Sequence, residues 1–494
     1  MSSIISFPAS LRPRLTPVRG NVDYIKLTER LVQIDALLHN SGLERCFLQK
    51  AIDQWQGKSQ PAACQLQRFE QMAVQALRCN ILRSLLQLPF RKFSCELAGS
   101  ALFQWFCQIG ALDVIVVPAK SQLQRFAHLL PASQMKQILH QLLQAAGQKP
   151  KELQLKAPLN LDEYYLDTTC LAAPIHFPVD WALLRDAVNS LMKSIKLIRK
   201  HKLNCRMPDP GDFLRQINRL SIQMSNQTRL TESKSKRKAT LRQMKKLAKV
   251  VEKHAQRHAC LLEDKWDQTD LTQGQAQQIL RRIQNIVEQL PQAIHQAHER
   301  IIGGRQVENK DKILSLFEKQ VRVIVRHKAG AEVEFGNTLL IGENAQGLIL
   351  DCHLIEEQAA ADSQLLSASL LRVEEGLNRT IKAVAADRGF ASKANSQMLK
   401  EAGVFDAICP RQPDQLRERM KEKRFARMQR RRSQTEGRIG LSKANFLGPA
   451  LRAKGFKNRE LAVFWGVLTH NLWKLAKLIE GQKEKQIPPL SQAA

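Results

Sequence analysis

Apolar residues recur at helical spacing through the N-terminal part of the chain. The stretches YIKLTERLVQIDALL (24–38) and LRCNILRSLLQL (77–88) show the pattern best. Such spacing places apolar side chains on one face of a helix, which then packs against neighbouring helices. We therefore predict a flexible tail at 1–22 and a helical N-terminal domain at 23–150.

The pattern changes at KAPLNLDEYYLDTTC (156–170), where tyrosines and a leucine lead into Asp167. This predicts a short buried strand that ends at an acid, and we assign 151–180 to the first strand of a core. Helical spacing returns over 181–318, with the cationic run SKSKRKATLRQMKKLAKVVEKHAQRH near its centre. This part is a basic helical insertion, either a protruding hairpin or a solvated helix pair with no specific partner.

Strand-like segments rich in β-branched residues return at 321–327, 332–343 and 347–356. A helix, a strand ending at Asp387, a helix, a further strand and a basic helical stretch from 412 to about 443 follow. This order predicts an α/β fold, a mixed sheet flanked by helices with an antiparallel hairpin in an otherwise partly parallel sheet. We assign 319–480 to the remainder of this core and 481–494 to a flexible tail.

Charge narrows the choice of partner. The net charge of +30 and pI near 10.0 favour polyanions, with nucleic acid first and an anionic membrane surface second. The apolar segment 461–479 is interrupted by His470, Asn471 and Lys474, which a membrane span would tolerate poorly, so we predict a buried helix there. Binding to a membrane surface is disfavoured because the basic helices lack a Trp, Phe and Leu stripe opposite their charge. The ten cysteines form no CxxC pair and the first residues lack an apolar signal region, so we expect a cytoplasmic protein with reduced thiols.

Three acids form the candidate site. Asp167 and Asp387 follow predicted strands, where open α/β sheets place their ligands. Glu436 lies in the basic run RRRSQTEGRIGLSK (430–443), where it either pairs with Arg432 four residues earlier or binds metal beside a phosphate. Four rival acids are ranked lower: Asp351, Asp362, Asp180 and Asp186.

Carboxylates brought together repel one another unless a cation lies between them. Magnesium or manganese accepts such oxygen ligands and keeps open positions for phosphate and water. Two ions about 4 Å apart can activate an attacking hydroxyl and stabilise the leaving oxygen of a phosphoryl transfer. The acids therefore indicate Mg²⁺ or Mn²⁺, with two ions expected.

Several long segments resemble the DDE transposases of bacterial insertion sequences, notably those of ISNCY-type elements. The resemblance lies in AVAADRGFASKAN (383–395), AGVFDAICPR (402–411) and the stretch from QTEGRIGLSKANF (434–446) through LAVFWGVLTHNLWKLAKL (461–478). LDTTCLAAPIHFPVDWALLRD (166–186), RHKAGAEVEFGNTLLIGE (326–343) and the segment from CNILRSLLQL to SQLQRF (79–126) extend it over most of the chain.

The resemblance implies an RNase H-like core with the catalytic, metal-binding triad Asp167, Asp387 and Glu436. Related transposases carry a Y-x2-R-x3-E-x6-K pattern, which Arg432, Glu436 and Lys443 match. Gln429 stands where the tyrosine would be. Arg432, Lys443, Gln429 and the neighbouring Arg431 are then the expected DNA contacts, and the positions of the pattern share one helix face.

The implied function is transposition: binding of terminal inverted repeats, metal-dependent cleavage of DNA and strand transfer, by a homo-oligomer assembled on DNA in the nucleoid. For recognition of the repeats we expect the N-terminal helices, with Arg91, Lys92 and Arg125 as contacts in helix-turn-helix style. No membrane or small-molecule substrate is expected. The alternatives are an RNase H-fold nuclease without strand transfer and a non-catalytic DNA-binding protein derived from a transposase.

Overall fold

The computed structural model describes residues 15–56, 63–109, 114–227, 234–328, 331–447 and 453–484. The helices are α1 Val22–Asn40, α2 Leu43–Gln56, α3 Ala63–Leu86, α4 Phe90–Gly99, α5 Ala101–Phe106, α6 Lys120–Ala127, α7 Ala132–Gln148, α8 Asp180–Lys200, α9 Pro210–Gln227, α10 Lys234–Lys265, α11 Gln273–Ala297, α12 Asp362–Leu377, α13 Lys393–Glu401, α14 Pro413–Arg419, α15 Lys423–Ser442 and α16 Phe456–Glu484. The strands are β1 Glu163–Ala172, β2 Arg322–Lys328, β3 Ala331–Glu343, β4 Ile349–Leu354, β5 Ala383–Ala386 and β6 Phe405–Asp406.

The chain divides into two compact units. Unit 1 comprises 1–171, 338–355 and 359–494, and unit 2 comprises 172–337 and 356–358. The N-terminal helices, which we predicted as a domain of their own, share unit 1 and one hydrophobic core with most of the sheet and with α16. The predicted terminal tails lie largely outside the described residues, although α1 begins at Val22 and α16 continues to Glu484.

Unit 1 contains the centre of the sheet. The strand order is β2-β3-β1-β5-β6, with β4 also paired to β3. β5 runs parallel to both β1 and β6, whereas β3 and β4 form an antiparallel hairpin. The prediction of a mixed α/β sheet with an antiparallel hairpin is therefore confirmed.

The interior of unit 1 follows from its apolar strands and helices. Tyr164, Tyr165 and Leu166 on β1 are fully buried, and all four residues of β5 are buried. A strand that is apolar on successive residues must be covered on both faces, which is why helices lie over this part of the sheet. The apolar segment 461–479 forms the buried part of α16, including Trp465, as predicted.

Unit 2 is mainly helical. Helices α8, α9, α10 and α11 pack together around a second apolar core, and β2 pairs with the first half of β3 within this unit. The predicted insertion at 181–318 falls inside unit 2, whose main segment runs from 172 to 337. Among the described residues, no helix combines the length and the apolar character that crossing a membrane requires.

Candidate active site

Asp167 and Asp387 lie side by side because of the register between two parallel strands. The last paired residues of β1 and β5 are Leu166 and Ala386, so the two aspartates come next on adjacent strands. Neighbouring strands are about 4.8 Å apart. The predicted strand end is correct for Asp387 but wrong for Asp167, because β1 continues to Ala172. Asp167 is therefore held within a strand, with β5 ending beside it.

The chain after β5 turns tightly and holds the carboxylate of Asp387. The backbone N–H of Gly389 donates a hydrogen bond to Asp387 Oδ1 at 2.9 Å. A methyl group added at Gly389 would lie 3.0 Å from that oxygen and 2.9 Å from Asp362 Oδ2. A side chain at this position would push these two carboxylates away, because both approach the same point of the backbone.

Asp362 is thus a further member of the site, which the sequence argument had ranked below the triad. It is the first residue of α12, and its Oδ1 accepts a hydrogen bond of 3.1 Å from the hydroxyl of Thr168, the residue after Asp167. An acid at a helix start has an ordinary explanation in the helix dipole, so sequence alone did not single it out. Only the fold shows that this helix begins beside β1.

Electrostatics connect all three acids of the predicted triad. Burial raises the pKa of Asp167 from its ordinary 3.8 to about 6, and the charges of Asp387 and Glu436 add to that shift. The backbone N–H of Thr168, which donates to Asp167 at 2.7 Å, and the guanidinium of Arg432 oppose it. Repulsion between carboxylates and loss of solvent thus outweigh the nearby positive groups.

Helix α15 is fixed to the sheet through Glu343, the last residue of β3. The guanidinium of Arg431 binds the buried Glu343 carboxylate at 2.8 Å and lies over the ring of Tyr165. Thr435, one turn later, donates to the same carboxylate at 2.8 Å. These contacts set the position of Glu436, which is exposed on the adjacent face.

The predicted DNA contacts on and after α15 divide into two groups. Arg431 is half-buried and its guanidinium is engaged by Glu343, an ion pair that disfavours the predicted contact with DNA, which stays a prediction. Gln429 is half-buried and its amide donates to the backbone carbonyls of Ala386 and Ala407, which ties the helix to the ends of two strands.

Arg432 and Lys443, in contrast, point toward the site. In the described part of the chain, Nε of Arg432 is buried without a hydrogen-bond partner, and its charge acts on Asp167. The ammonium of Lys443 donates to Thr169 Oγ1 at 3.2 Å and to the carbonyl of Cys170, both on β1. Each cation is therefore held within reach of the strand that carries Asp167.

The N-terminal candidates are exposed. Arg91 and Lys92 lie in the first turn of α4, and Arg125 lies near the end of α6. The two helices pack together, and the Ser94 hydroxyl donates to the carbonyl of Pro118 at 2.8 Å. Their basic side chains therefore remain available as contacts, and their role stays a prediction.

The other rival acids serve the fold. Asp351 is fully buried on β4, where it accepts from Ser369 and forms an ion pair with Arg372 at 2.6 Å. Asp180 and Asp186 belong to unit 2, where Asp180 pairs with an arginine of the same unit and Asp186 with Arg185. Their ranking below the triad stands.

The described residues do not form a complete set of metal ligands. Across the described ranges, no three Asp, Glu, His or Cys side chains are grouped closely enough to hold a metal ion. The chemistry of the donors nevertheless suits a hard cation, because the charge of Asp387 helps to raise the pKa of Asp167 and a cation between the two carboxylates would relieve that repulsion. Asp167 and Asp387 fit as a pair of ligands, and a third ligand has to approach them.

Comparison with known proteins identifies no relative. No protein-family model, no curated protein and no solved structure matches this chain.

Proposed function

We propose that this protein is a DNA transposase of an insertion sequence, with an RNase H-like catalytic core. The observation that carries the proposal is the parallel register that sets Asp167 beside Asp387, with the charge of Glu436 acting on the same site. Asp167 and Asp387 are about 220 residues apart in the chain, yet each directly follows one member of the paired residues Leu166 and Ala386.

The sheet supports the RNase H-like part of the proposal. β1 is central, and the β3–β4 hairpin lies on one side of it. On the other side β5 runs parallel to β1, and β6 runs parallel to β5. Open α/β sheets bind ligands beyond the carboxyl ends of their strands. Asp387 directly follows the end of β5, and Asp167 lies beside it on β1.

The proposed reaction is a pair of phosphoryl transfers. In the first, a water oxygen attacks a phosphorus at the element's end, the bond to the 3′-oxygen breaks, and that oxygen takes a proton and leaves as a 3′-hydroxyl. In the second, this hydroxyl attacks a phosphorus of target DNA, loses its proton to solvent, and displaces a target 3′-oxygen, which is protonated. Bonds are exchanged one for one, so no cofactor is consumed.

Asp167 and Asp387, with Glu436 or Asp362 as the third carboxylate, are the residues that would hold Mg²⁺ or Mn²⁺. Bound there, two such ions supply activation of the attacking oxygen and neutralisation of the leaving one. Glu436 is exposed on α15, and Asp362 already lies beside Asp387. Binding of a cation would also bring the pKa of Asp167 back toward its ordinary value, since an opposite charge favours the ionised form.

Arg432 and Lys443 would hold the phosphates that flank the cleaved bond. The unsatisfied Nε of Arg432 gives a physical reason, because a buried donor without a partner costs stability that an anion would restore. Gln429, bound to backbone carbonyls, would contribute by holding α15 in place rather than by contacting a base.

Recognition of the terminal inverted repeats is proposed for the exposed basic residues of α4 and α6, namely Arg91, Lys92 and Arg125. Two DNA ends must be joined in one reaction, so we also propose that the protein acts as a homo-oligomer on DNA in the cytoplasm. The net charge of +30 supports DNA as the partner.

The test uses purified full-length protein, Mg²⁺ or Mn²⁺, and a supercoiled plasmid that carries the DNA flanking the coding region on both sides. Nicking at the flanks and joined products are the expected results. Asp167→Asn, Asp387→Asn and Glu436→Gln should each lower cleavage by at least about 100-fold. Asp414→Asn, an acid 89% exposed on α14, is the matched control and should retain full activity.

Each other outcome points to a different protein. Cleavage without joined products would replace the transposase with a nuclease. Binding of DNA without cleavage under any metal condition would favour the non-catalytic alternative. Full activity of any one of the three triad variants would remove that residue from the site.

A further inference from the structure

One face of α10 carries a row of exposed cations. The α10 cationic stripe consists of Arg242, Lys246, Lys249, Lys253 and Arg257, all of them exposed. At 100° per residue these five positions fall within about 80° of one another, and at 1.5 Å per residue they extend over about 22 Å. The cationic run noted in the sequence is therefore a linear surface in the folded protein.

The rest of α10 is committed to the bundle of unit 2. Leu241, Met244, Ala248, Val251 and Ala255 are buried, and α10 packs against α8, α9 and α11. Because its apolar face is covered by protein, α10 has no apolar side to insert into a lipid surface. The helix is also held firmly, so the stripe keeps its geometry without a partner.

The charges of the stripe are not neutralised by the protein. Within the described ranges, none of the five side chains forms an ion pair with a carboxylate. The acid within this stretch is Glu252, whose pKa is raised by burial despite the nearby Lys249. The pKa of Lys245 is lowered by burial and then by the charges of Lys249 and Arg242.

Spacings of three and four residues place like charges next to one another on the helix, which destabilises it. A row of mutually repelling cations on a rigid support is a cost to the isolated protein. A polyanion would remove that cost.

We propose that the α10 cationic stripe binds the sugar–phosphate backbone of double-stranded DNA without reading its sequence. Successive cations are about 4.5–6 Å apart along the helix axis, and each DNA strand offers a phosphate every 3.4 Å along the axis of the duplex. The stripe of about 22 Å can thus reach several phosphates. This surface belongs to unit 2, needs no catalytic residue, and so extends beyond the proposed function.

The experiment compares two triple variants of the full-length protein with equal loss of charge. The stripe variant is Lys246→Gln, Lys249→Gln and Lys253→Gln, in which glutamine keeps the helix propensity close to that of lysine. The control variant is Lys26→Gln, Arg45→Gln and Lys151→Gln, exposed cations of unit 1. Circular dichroism and thermal unfolding establish that both variants fold as the wild type does.

The measurement is the Kd for a fluorescent 30-base-pair duplex of arbitrary sequence from 50 to 300 mM KCl, in EDTA so that no cleavage occurs. Each phosphate contact contributes about 0.9 to the slope of log K against log salt, so the stripe variant should lose about 2 to 3 from the slope. We expect its affinity at 100 mM KCl to fall by at least about tenfold, with less than twofold change in the control variant.

Three outcomes would overturn the proposal: equal effects of the two triple variants, no binding of the wild type to the duplex, or loss of binding to phosphatidylserine vesicles with DNA binding intact. The experiment is independent of the proposed catalysis. If the stripe variant loses DNA affinity but the wild-type protein never cleaves DNA, the proposed transposase activity is refuted and the proposed DNA binding by α10 is retained.

Discussion

Substitution of Asp167 by asparagine should stabilise the metal-free protein. Burial and the charges of neighbouring acids raise the pKa of Asp167 from its ordinary 3.8 to about 6. Asparagine has nearly the same shape and keeps an oxygen that can accept the hydrogen bond from the backbone N–H of Thr168. The variant therefore removes a buried charge and little else.

The size of the effect follows from the pKa shift. A shift of about two units corresponds to about 3 kcal/mol, at 1.36 kcal/mol per unit. Well below pH 3.8 the aspartic acid is protonated in both the folded and unfolded protein, so no charge is buried and the variant gains nothing. Between pH 4 and 6 the folded state holds the proton more tightly, so wild-type stability falls with rising pH. Above about pH 6 the variant should show its full advantage of about 2–3 kcal/mol.

The assay is chemical denaturation in EDTA at pH 4.5 and pH 8, compared between wild type and Asp167→Asn. Asp351→Asn is the matched control, because Asp351 is equally an aspartate on a strand of unit 1 but forms an ion pair with Arg372. Removal of that carboxylate leaves the guanidinium without its partner and should destabilise the protein at both pH values, by about 3 kcal/mol.

The reasoning is refuted if Asp167→Asn destabilises the protein at pH 8, or if its effect is the same at pH 4.5 and pH 8. A second readout tests the link to metal. Addition of 10 mM Mg²⁺ should raise the stability of the wild type at pH 8 and leave that of Asp167→Asn nearly unchanged, since a cation that binds only the folded state stabilises it by mass action.

Three further changes probe the surroundings of the site. Gly389→Ala should lower DNA cleavage by at least about tenfold in the plasmid assay, because its methyl group would displace the carboxylates of Asp362 and Asp387; unchanged cleavage would show that their spacing is not needed. Glu343→Gln should lower stability by about 3 kcal/mol in urea denaturation, because Arg431 then loses its buried partner; an effect below 0.5 kcal/mol, the size typical of surface pairs, would contradict this. Asp362→Asn keeps the hydrogen-bonding oxygen and should still reduce cleavage by at least about tenfold, whereas wild-type rates would make Asp362 purely structural.

The order of helices and strands was predictable from periodicity, and so was the mixed sheet. The hairpin at 332–356 and the strand before Asp387 carry β-branched and apolar runs that distinguish them from the helices around them. The extension of β1 past Asp167 differs from the prediction because the charged Asp167 interrupts the apolar run, whereas the β-branched Thr168 and Thr169 that follow it favour a strand.

The composition of the site was only partly predictable. Asp167 and Asp387 could be found because acids directly after apolar runs are unusual. Asp362 could not, because an acid in the first turn of a helix is common and its position beside Asp387 depends on how the helix packs. The ion pair of Arg431 with Glu343 was not predictable for a related reason: neighbouring residues on a helix differ by 100°, and a run of arginines does not show which of them faces the sheet.

The basic residues of α15 fall into two groups, those that pair with the sheet and those that do not. Arg427 and Arg431 pair with Glu163 on β1 and Glu343 on β3, so their charge holds the helix against the sheet. Arg432, by contrast, has a buried donor without a partner among the described residues and acts on the charge of Asp167. Because ion pairs with the sheet consume the first two charges, the basic run offers less charge to a polyanion than its composition suggests. The acid Glu436 lies one turn after Arg432, and both charges act on Asp167, which gives a lone carboxylate in a basic helix a physical reason.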